Sequence, residues 1–291
     1  MSGLANSPAM SELTWRELWQ QAANEVGRAQ ARWLCETASG VEGAEFVAEL
    51  DASATQRMVA HLDAMLARAR AGEPLQYVLG HWGFRHLDLL VDQRVLIPRP
   101  ETEQVVEVAL RLVAGRATVL CADLGTGSGA IGLALASELP LAGTTVWLTD
   151  ASADALDVAR ANTAGIGRAA SNVRIAGGHW YDALPRELAG AFDIVVSNPP
   201  YIAHSDARVE PIVRDFEPHE ALFSGADGLD AVRVIARDAA KWLAADGWLV
   251  LEIGSGQAAA TQALLRDAGL VDVDVHRDLA GHDRVAVGRR A

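Results

Sequence analysis

Asn198-Pro199-Pro200-Tyr201 is a run of residue types suited to holding a planar nitrogen. The Asn198 side-chain oxygen and a neighbouring backbone carbonyl can accept the two hydrogens of an NH2 group. Two prolines stiffen that backbone and donate nothing themselves, so its carbonyls stay aimed outward. Tyr201 can lie against the flat face of the target group. A second cluster is Asp123-Leu124-Gly125-Thr126-Gly127-Ser128-Gly129. Its glycines let the chain turn sharply and bring backbone N–H groups close to a ligand. A helix beginning there favours a carboxylate or phosphate at its N-terminus. The loop alone leaves its ligand open. Gly127-x-Gly129-x-x-Gly132 satisfies the dinucleotide fingerprint, so NAD and S-adenosylmethionine both fit. Asp150 does not choose between them. In either class its carboxylate can accept hydrogen bonds from both ribose hydroxyls, and beside Ser152 it can equally cap a helix.

The elements that must position these residues alternate. Short apolar strands are expected at 118–122, 145–148, 173–176, 192–196 and 248–253, with helices at 131–139, 153–164 and 229–243. Alternation at this spacing implies an α/β fold: a parallel sheet covered on both faces. Two more strands, 271–275 and 284–287, are separated by little beyond Gly281-His282-Asp283 and are expected to pair antiparallel. Ligands bind beyond the carboxyl ends of strands in such a sheet. Both motifs follow strands, so they face one crevice. The Asn-Pro-Pro-Tyr run therefore decides for S-adenosylmethionine, because an NAD-dependent dehydrogenase leaves it without a task.

Residues 1–80 read as helices. Leu13, Leu18 and Trp19 open an apolar stripe, which Val26, Ala29, Trp33 and Leu34 continue beyond Gly27. Met58, Val59, Leu62, Met65, Leu66 and Ala69 form another at spacings of three and four. No cofactor motif lies there, and the segment is expected to be a substrate-docking domain. Residues 81–102 are expected to form a β-hairpin connector, and 103–291 the catalytic domain. Tyr77-Val78-Leu79-Gly80, Gly83-Phe84, Leu87-x-Leu89 and Val95-Leu96-Ile97 all look like short strands. Thr102 or Glu101 can then start a helix running from Glu103 to about Val113.

The chain has 291 residues, half of them hydrophobic and 22% charged, enough for a sizeable core. No run of eighteen apolar residues occurs, so no membrane span is expected. Residues 1–10 lack a basic patch followed by an apolar stretch, so no secretion signal is expected. Cys35 and Cys121 form no disulfide framework, which suits a reducing cytoplasm. The net charge of -13 is spread along the chain, with 12 acidic and 8 basic residues in 1–94 and 26 and 17 in the remainder. Neither part carries the positive field of a nucleic-acid binder, so no direct nucleic-acid binding is expected. That weighs against the rival reading, an adenine amino-group methyltransferase of DNA or RNA. The intact motifs weigh against a binding protein with a vestigial site. No metal is expected.

Three further segments narrow the reading: Ile97-Pro98-Arg99-Pro100-Glu101-Thr102-Glu103, Phe216-Glu217-Pro218-His219-Glu220-Ala221-Leu222 and Leu251-Glu252-Ile253-Gly254. Together with the glycine loop, Asn198 to Tyr201, a helical N-terminal part and a hairpin, they resemble the release factor glutamine methyltransferase family (PrmC/HemK type). The resemblance covers nearly the whole chain and is weakest before about residue 73. It implies a Rossmann-like methyltransferase sheet, and S-adenosylmethionine as cofactor. The substrate it implies is the glutamine side-chain amide in the Gly-Gly-Gln loop of peptide chain release factors. It places Gly125, Thr126, Gly127, Ser128 and Gly129 around the methionine part, Asp150 on the ribose, Trp180 against the adenine side and Asn198 close to the cofactor. Asn198, Pro199, Pro200 and Tyr201 would be catalytic. Arg99 and Glu101 could line the crevice, although helix capping and a surface ion pair explain them as well. No general base is compelled.

Overall fold

The computed structural model describes residues 10–291, so residues 1–9, on which the reading of a missing secretion signal rests, lie outside the described residues. The chain divides into two compact units, one ending at Gly80 and one running from His81 to Ala291.

In the first unit, strand β1 (Met10–Thr14) pairs antiparallel with β2 (Ser53–Thr55). Helices α1 (Trp15–Val26), α2 (Arg28–Ser39), α3 (Gly43–Ala48), α4 (Gln56–Arg70) and α5 (Leu75–Leu79) make up the rest. Thr14 and Glu17 form a reciprocal capping box that starts α1. The core gathers Trp15, Leu18, Leu34, Phe46, Leu62 and Met65, with the Trp15 and Phe46 rings edge to face at 6.1 Å. Of the stripe expected through Val26, Ala29, Trp33 and Leu34, Leu34 is buried and Val26 packs against the core, but Ala29 and Trp33 are exposed and Ala31, Cys35 and Ala38 face inward in their place. Gly27, at φ 85°, breaks the helix, so α2 starts with its own phase rather than continuing that of α1. Tyr77-Val78-Leu79 is helical, not extended. Three apolar residues in a row suit either period, and here Gly80 closes the turn in the left-handed region while Tyr77 and Val78 are both buried.

The second unit opens with the hairpin β3 (His81–Phe84) and β4 (Leu87–Leu90). Val95-Leu96-Ile97 is not a strand. Pro98 and Pro100 cannot donate to a ladder, and the Ile97 N–H goes to the Glu217 carboxylate. A 3-10 turn at Pro100–Thr102 leads into α6 (Glu103–Leu112), and Thr102 makes no capping bond with its side chain. There follow β5 (Val119–Leu124), α7 (Ala130–Glu138), β6 (Thr144–Asp150), α8 (Ala153–Gly165), β7 (Val173–Gly177) and β8 (Phe192–Ser197). The chain ends with α9 (Pro211–Phe216), α10 (His219–Leu222), α11 (Asp230–Trp242), β9 (Leu243–Glu252), α12 (Ala258–Asp267), β10 (Leu270–Arg277) and β11 (Asp283–Arg290).

These strands form one Rossmann-like sheet in the order β10-β11-β9-β8-β5-β6-β7. The five strands from β9 to β7 are parallel, while β11 runs antiparallel to β9 and β10 antiparallel to β11, as the spacing around Gly281 predicts. From β5 the chain winds outward through β6 and β7, then returns to β8 on the other side. The topological switch therefore falls between β5 and β8, and the crevice opens at their carboxyl ends. Helix α7 is buried along almost its whole length. Gly132 permits this, since a Cβ there would lie 2.1 Å from Leu148 Cδ2. Asn162 ties the hairpin to the glycine loop: it accepts from Leu90 N at 2.7 Å and donates to Ser128 O at 2.8 Å.

Candidate active site

Gly125, Gly127 and Gly129 follow β5 with φ of 69°, 55° and 88°, the left-handed region that L side chains avoid. The turn is held from beneath by Asp123. Its Oδ2 accepts from Thr126 Oγ1 at 2.6 Å and from Gly132 N at 2.9 Å, while its buried Oδ1 has no partner among the described residues. Burial pushes this carboxyl up to about 6, against the pull of its two hydrogen bonds.

A raised pKa means that the folded chain holds this proton more tightly than the unfolded one. Stability should therefore fall as pH rises from about 4 to about 6, by up to roughly 3 kcal/mol for the whole shift. Asp123→Asn keeps one oxygen for Thr126 and Gly132 and has no charge to bury. Urea unfolding at a series of pH values should show a shallower fall for the variant across that window. Buried Glu252, also raised, keeps some slope of the same sign in both proteins. Superimposable profiles would mean that Asp123 titrates like an ordinary carboxyl.

Asp150 closes β6. Its Oδ2 accepts from Gly127 N and its Oδ1 from Ser152 N, each at 2.9 Å. Ser152 itself caps α8 by accepting from Ala155 N. The carboxylate thus shapes the loop as well as facing the crevice. Trp180, after β7, sits at φ 48°, a costly conformation for a bulky residue. Its ring lies over Gly125, where a Cβ would come within 3.2 Å of Trp180 Cζ3.

Gly125 to Ser128, Asp150, Trp180, Asn198 and Pro200 line one cavity of about 570 Å³, within the usual range for small-molecule sites. Gly129, at the start of α7, and Pro199 are not among its lining residues. A second cavity of about 110 Å³ is lined by Asn198, Tyr201 and Arg99 with apolar Leu96, Ile202, Val213, Ala221 and Leu222. Asn198 belongs to both. Bare glycine backbone, the Asp150 carboxylate and a flat indole suit a nucleoside bearing an amino-acid tail. These residues therefore fit S-adenosylmethionine.

The Asn-Pro-Pro-Tyr run begins where β8 ends, and Ser197 Oγ donates to Leu124 O at 2.6 Å, tying β8 to β5. Asn198 Nδ2 donates to Thr102 Oγ1 at 3.3 Å, and Thr102 Oγ1 donates to Glu252 Oε2 at 2.6 Å. Tyr201 OH donates to Glu252 Oε1 at 3.2 Å. Glu252 is 1% exposed, and burial raises its pKa against the opposing pull of Thr102 and Arg284. Burial likewise holds the Tyr201 phenol well above its ordinary range, so it stays protonated. Gln257 Nε2 donates to Tyr201 O at 2.9 Å, and its Oε1 accepts from Gly254 N. Arg99 pairs with buried Glu217, bracing the segment 97–99 rather than making a surface ion pair. Glu101 is exposed and does not line either cavity.

The sequence places Thr102 and Glu252 in family-like segments without giving them a task in the site, and gives no sign of Gln257 or of the double task of Asp123. One signal was available. Glu252 is a carboxylate at the end of the apolar run Trp248-Leu249-Val250-Leu251, where an unpaired charge is costly.

A family described as "Methyltransferase small domain" matches residues 107–220, and one described as "PrmC N-terminal domain" matches residues 14–80. The release factor glutamine methyltransferase of Xylella fastidiosa (strain Temecula1) is 48% identical over 240 residues, 82% of this chain and 83% of that protein. The protein of the same name from Bordetella pertussis is 42% identical over 288 residues, 99% of this chain and 98% of its own length. A methyltransferase structure from Pyrococcus furiosus superposes with a TM-score of 0.51 at 18% identity, covering 80% of this chain and 98% of that one, a likeness of fold.

Proposed function

The chain belongs to the release factor glutamine methyltransferase family, and we propose that it methylates the side-chain amide nitrogen of the glutamine in the Gly-Gly-Gln motif of peptide chain release factors, using S-adenosylmethionine. The observation that carries this reading is the position of Asn198. It lines both the large cavity beneath the glycine loop and the small one beside it. A group held by Asn198 in the small cavity meets the contents of the large one.

The cofactor supplies a methyl carbon on a sulfonium, which departs as a neutral thioether. The chain's own residues orient and shield. An amide nitrogen is a poor nucleophile because its lone pair is delocalised into the carbonyl. Asn198 Oδ1 and the Pro199 carbonyl accept its two N–H hydrogens and favour positive charge developing on nitrogen. Tyr201, anchored at its hydroxyl by Glu252 and at its carbonyl by Gln257, covers the flat face of the amide. Leu96, Ile202 and Leu222 exclude water from the small cavity. Asp150 takes the ribose and the Gly125 to Gly129 backbone the amino-acid tail, with Trp180 beside the nucleoside. The nitrogen gives up one proton to solvent after transfer. The helical unit up to Gly80 docks the protein substrate.

The test is mass spectrometry of a purified release factor incubated with the protein and S-adenosylmethionine. The expected result is one added methyl on the glutamine of the Gly-Gly-Gln motif, and none when that glutamine is replaced by glutamate. Undiminished incorporation in the glutamate variant would move the acceptor elsewhere. Run beside a short peptide carrying the same motif, the intact factor should react with much the higher kcat/KM. Equal values would remove the docking role.

A further inference from the structure

An asparagine amide has two orientations of nearly the same shape, related by a half-turn about its last bond. One offers a substrate NH2 group an acceptor, the other opposes it with a donor. The group behind the amide selects between them. Here that group is the Thr102 hydroxyl, which in isolation can donate or accept. Its proton is committed, because Thr102 Oγ1 donates to Glu252 Oε2 at 2.6 Å inside the protein. A carboxylate has no proton to give in return, so Thr102 can only accept, and it accepts from Asn198 Nδ2. Asn198 Oδ1 is then the polar atom left for a ligand.

We infer that Thr102 is a positioning residue for methyl transfer, polarised by Glu252 so that Asn198 presents its oxygen, and not its NH2, to the substrate amide. The inference rests on the proposed role of Asn198 as an acceptor. Glu252 has a second hold on the same motif, since its other oxygen receives the Tyr201 hydroxyl. One buried carboxylate therefore sets both ends of the Asn-Pro-Pro-Tyr run. It comes from β9, Thr102 from the turn before α6, and Asn198 from the end of β8. Three separate elements meet at this point, so the orientation is fixed by the fold and not by local chain geometry. Arg284, on β11, lowers the cost of the buried charge.

The experiment measures kcat at saturating S-adenosylmethionine for Thr102→Val, Thr102→Ser and Glu252→Gln, each also placed in the Asn198→Ala background. Thr102→Val keeps the side-chain shape and removes the hydroxyl, so kcat should fall by about tenfold or more, the scale of one lost hydrogen bond. Thr102→Ser restores the hydroxyl and should recover most of the loss, which a packing role would not predict. Glu252→Gln offers the hydroxyl an oxygen in one amide orientation and a donor in the other, so it should fall between wild type and Thr102→Val. In the Asn198→Ala background, Thr102→Val should lower kcat no further, because nothing is left to orient. Wild-type kcat in Thr102→Val, or an undiminished effect of that change in the Asn198→Ala background, would overturn the role of Thr102. Wild-type kcat in Glu252→Gln would overturn the part given to Glu252. If Asn198→Ala is itself fully active, the acceptor reading fails and not merely this inference.

Discussion

Replacing Asn198 by alanine is expected to lower kcat by about 10²–10³-fold at saturating cofactor, the usual cost of removing one preorganised group that stabilises developing charge. The change should leave the S-adenosylmethionine dissociation constant nearly unaltered. The large cavity keeps its glycine loop, Asp150 and Trp180 when the side chain at one edge is trimmed. The ground-state affinity for release factor should also change little, since a protein substrate is held over a wider surface than one amide. A loss confined to kcat is the signature of a contact realised in the transition state. A loss confined to KM would make Asn198 a binding residue only.

Asn198→Asp sharpens the test. It keeps an oxygen for the substrate NH2 but turns the atom facing Thr102 from a donor into an acceptor. Thr102 Oγ1 gives its proton to Glu252, so the introduced carboxylate meets an oxygen with no hydrogen to share. It also places a second negative charge near a buried one. The expected order of kcat is Asn, then Asp, then Ala. Activity as low as that of Asn198→Ala, with full cofactor binding, would show that hydrogen-bond acceptance alone is an insufficient account of this side chain.

How much of this was legible in the sequence depends on the separation of the groups involved. Strand β5 and the glycine loop are contiguous: an apolar run meets closely spaced glycines, and local sterics leave little choice. The same holds for β8 and the Asn-Pro-Pro-Tyr run, whose chemistry lies in adjacent residues. The antiparallel pair β10 and β11 was legible because the link around Gly281 is too short for a crossover. The misreadings occurred where one short apolar run fits two periods. Tyr77-Val78-Leu79 became a helical turn because Gly80 could close it, and Val95-Leu96-Ile97 stayed irregular ahead of Pro98 and Pro100, which have no N–H to offer a strand. The Thr102–Glu252 contact was beyond local reading altogether, since its partners lie 150 positions apart. Thr102 was read as a helix start, the usual local use of a threonine before acidic residues, and the tertiary partner overrode it. Asp150 shows a third case. Ribose acceptor and helix-end acceptor read as alternatives in the sequence; the structure shows the backbone contacts to Gly127 and Ser152, and the carboxylate keeps lone pairs for the proposed ribose contact.

The observed loop contacts of Asp150, together with its proposed hold on the ribose, make its removal the other large expected effect. Each carboxylate oxygen already accepts one backbone N–H, from Gly127 and from Ser152. Each retains a lone pair that can take a ribose hydroxyl. Asp150→Ala removes the two charge-assisted bonds proposed to the ribose and also unties Gly127 from β6, so the glycine loop must be ordered at the expense of binding. Two such bonds correspond to about 3 kcal/mol or more, so the S-adenosylmethionine dissociation constant should rise by roughly 10²–10³-fold. Asp150→Asn separates the two roles. Its single oxygen can keep one backbone N–H, while its NH2 faces the other donor and can still donate to a hydroxyl. Affinity should be intermediate, with a drop in thermal stability that Asp150→Ala shares. Calorimetry with each variant, with S-adenosylmethionine and with NAD as separate titrants, reads both points. NAD binding in place of S-adenosylmethionine would overturn the cofactor assignment. A lowered unfolding temperature with unchanged affinity in Asp150→Ala would confine this carboxylate to holding the loop and the start of α8.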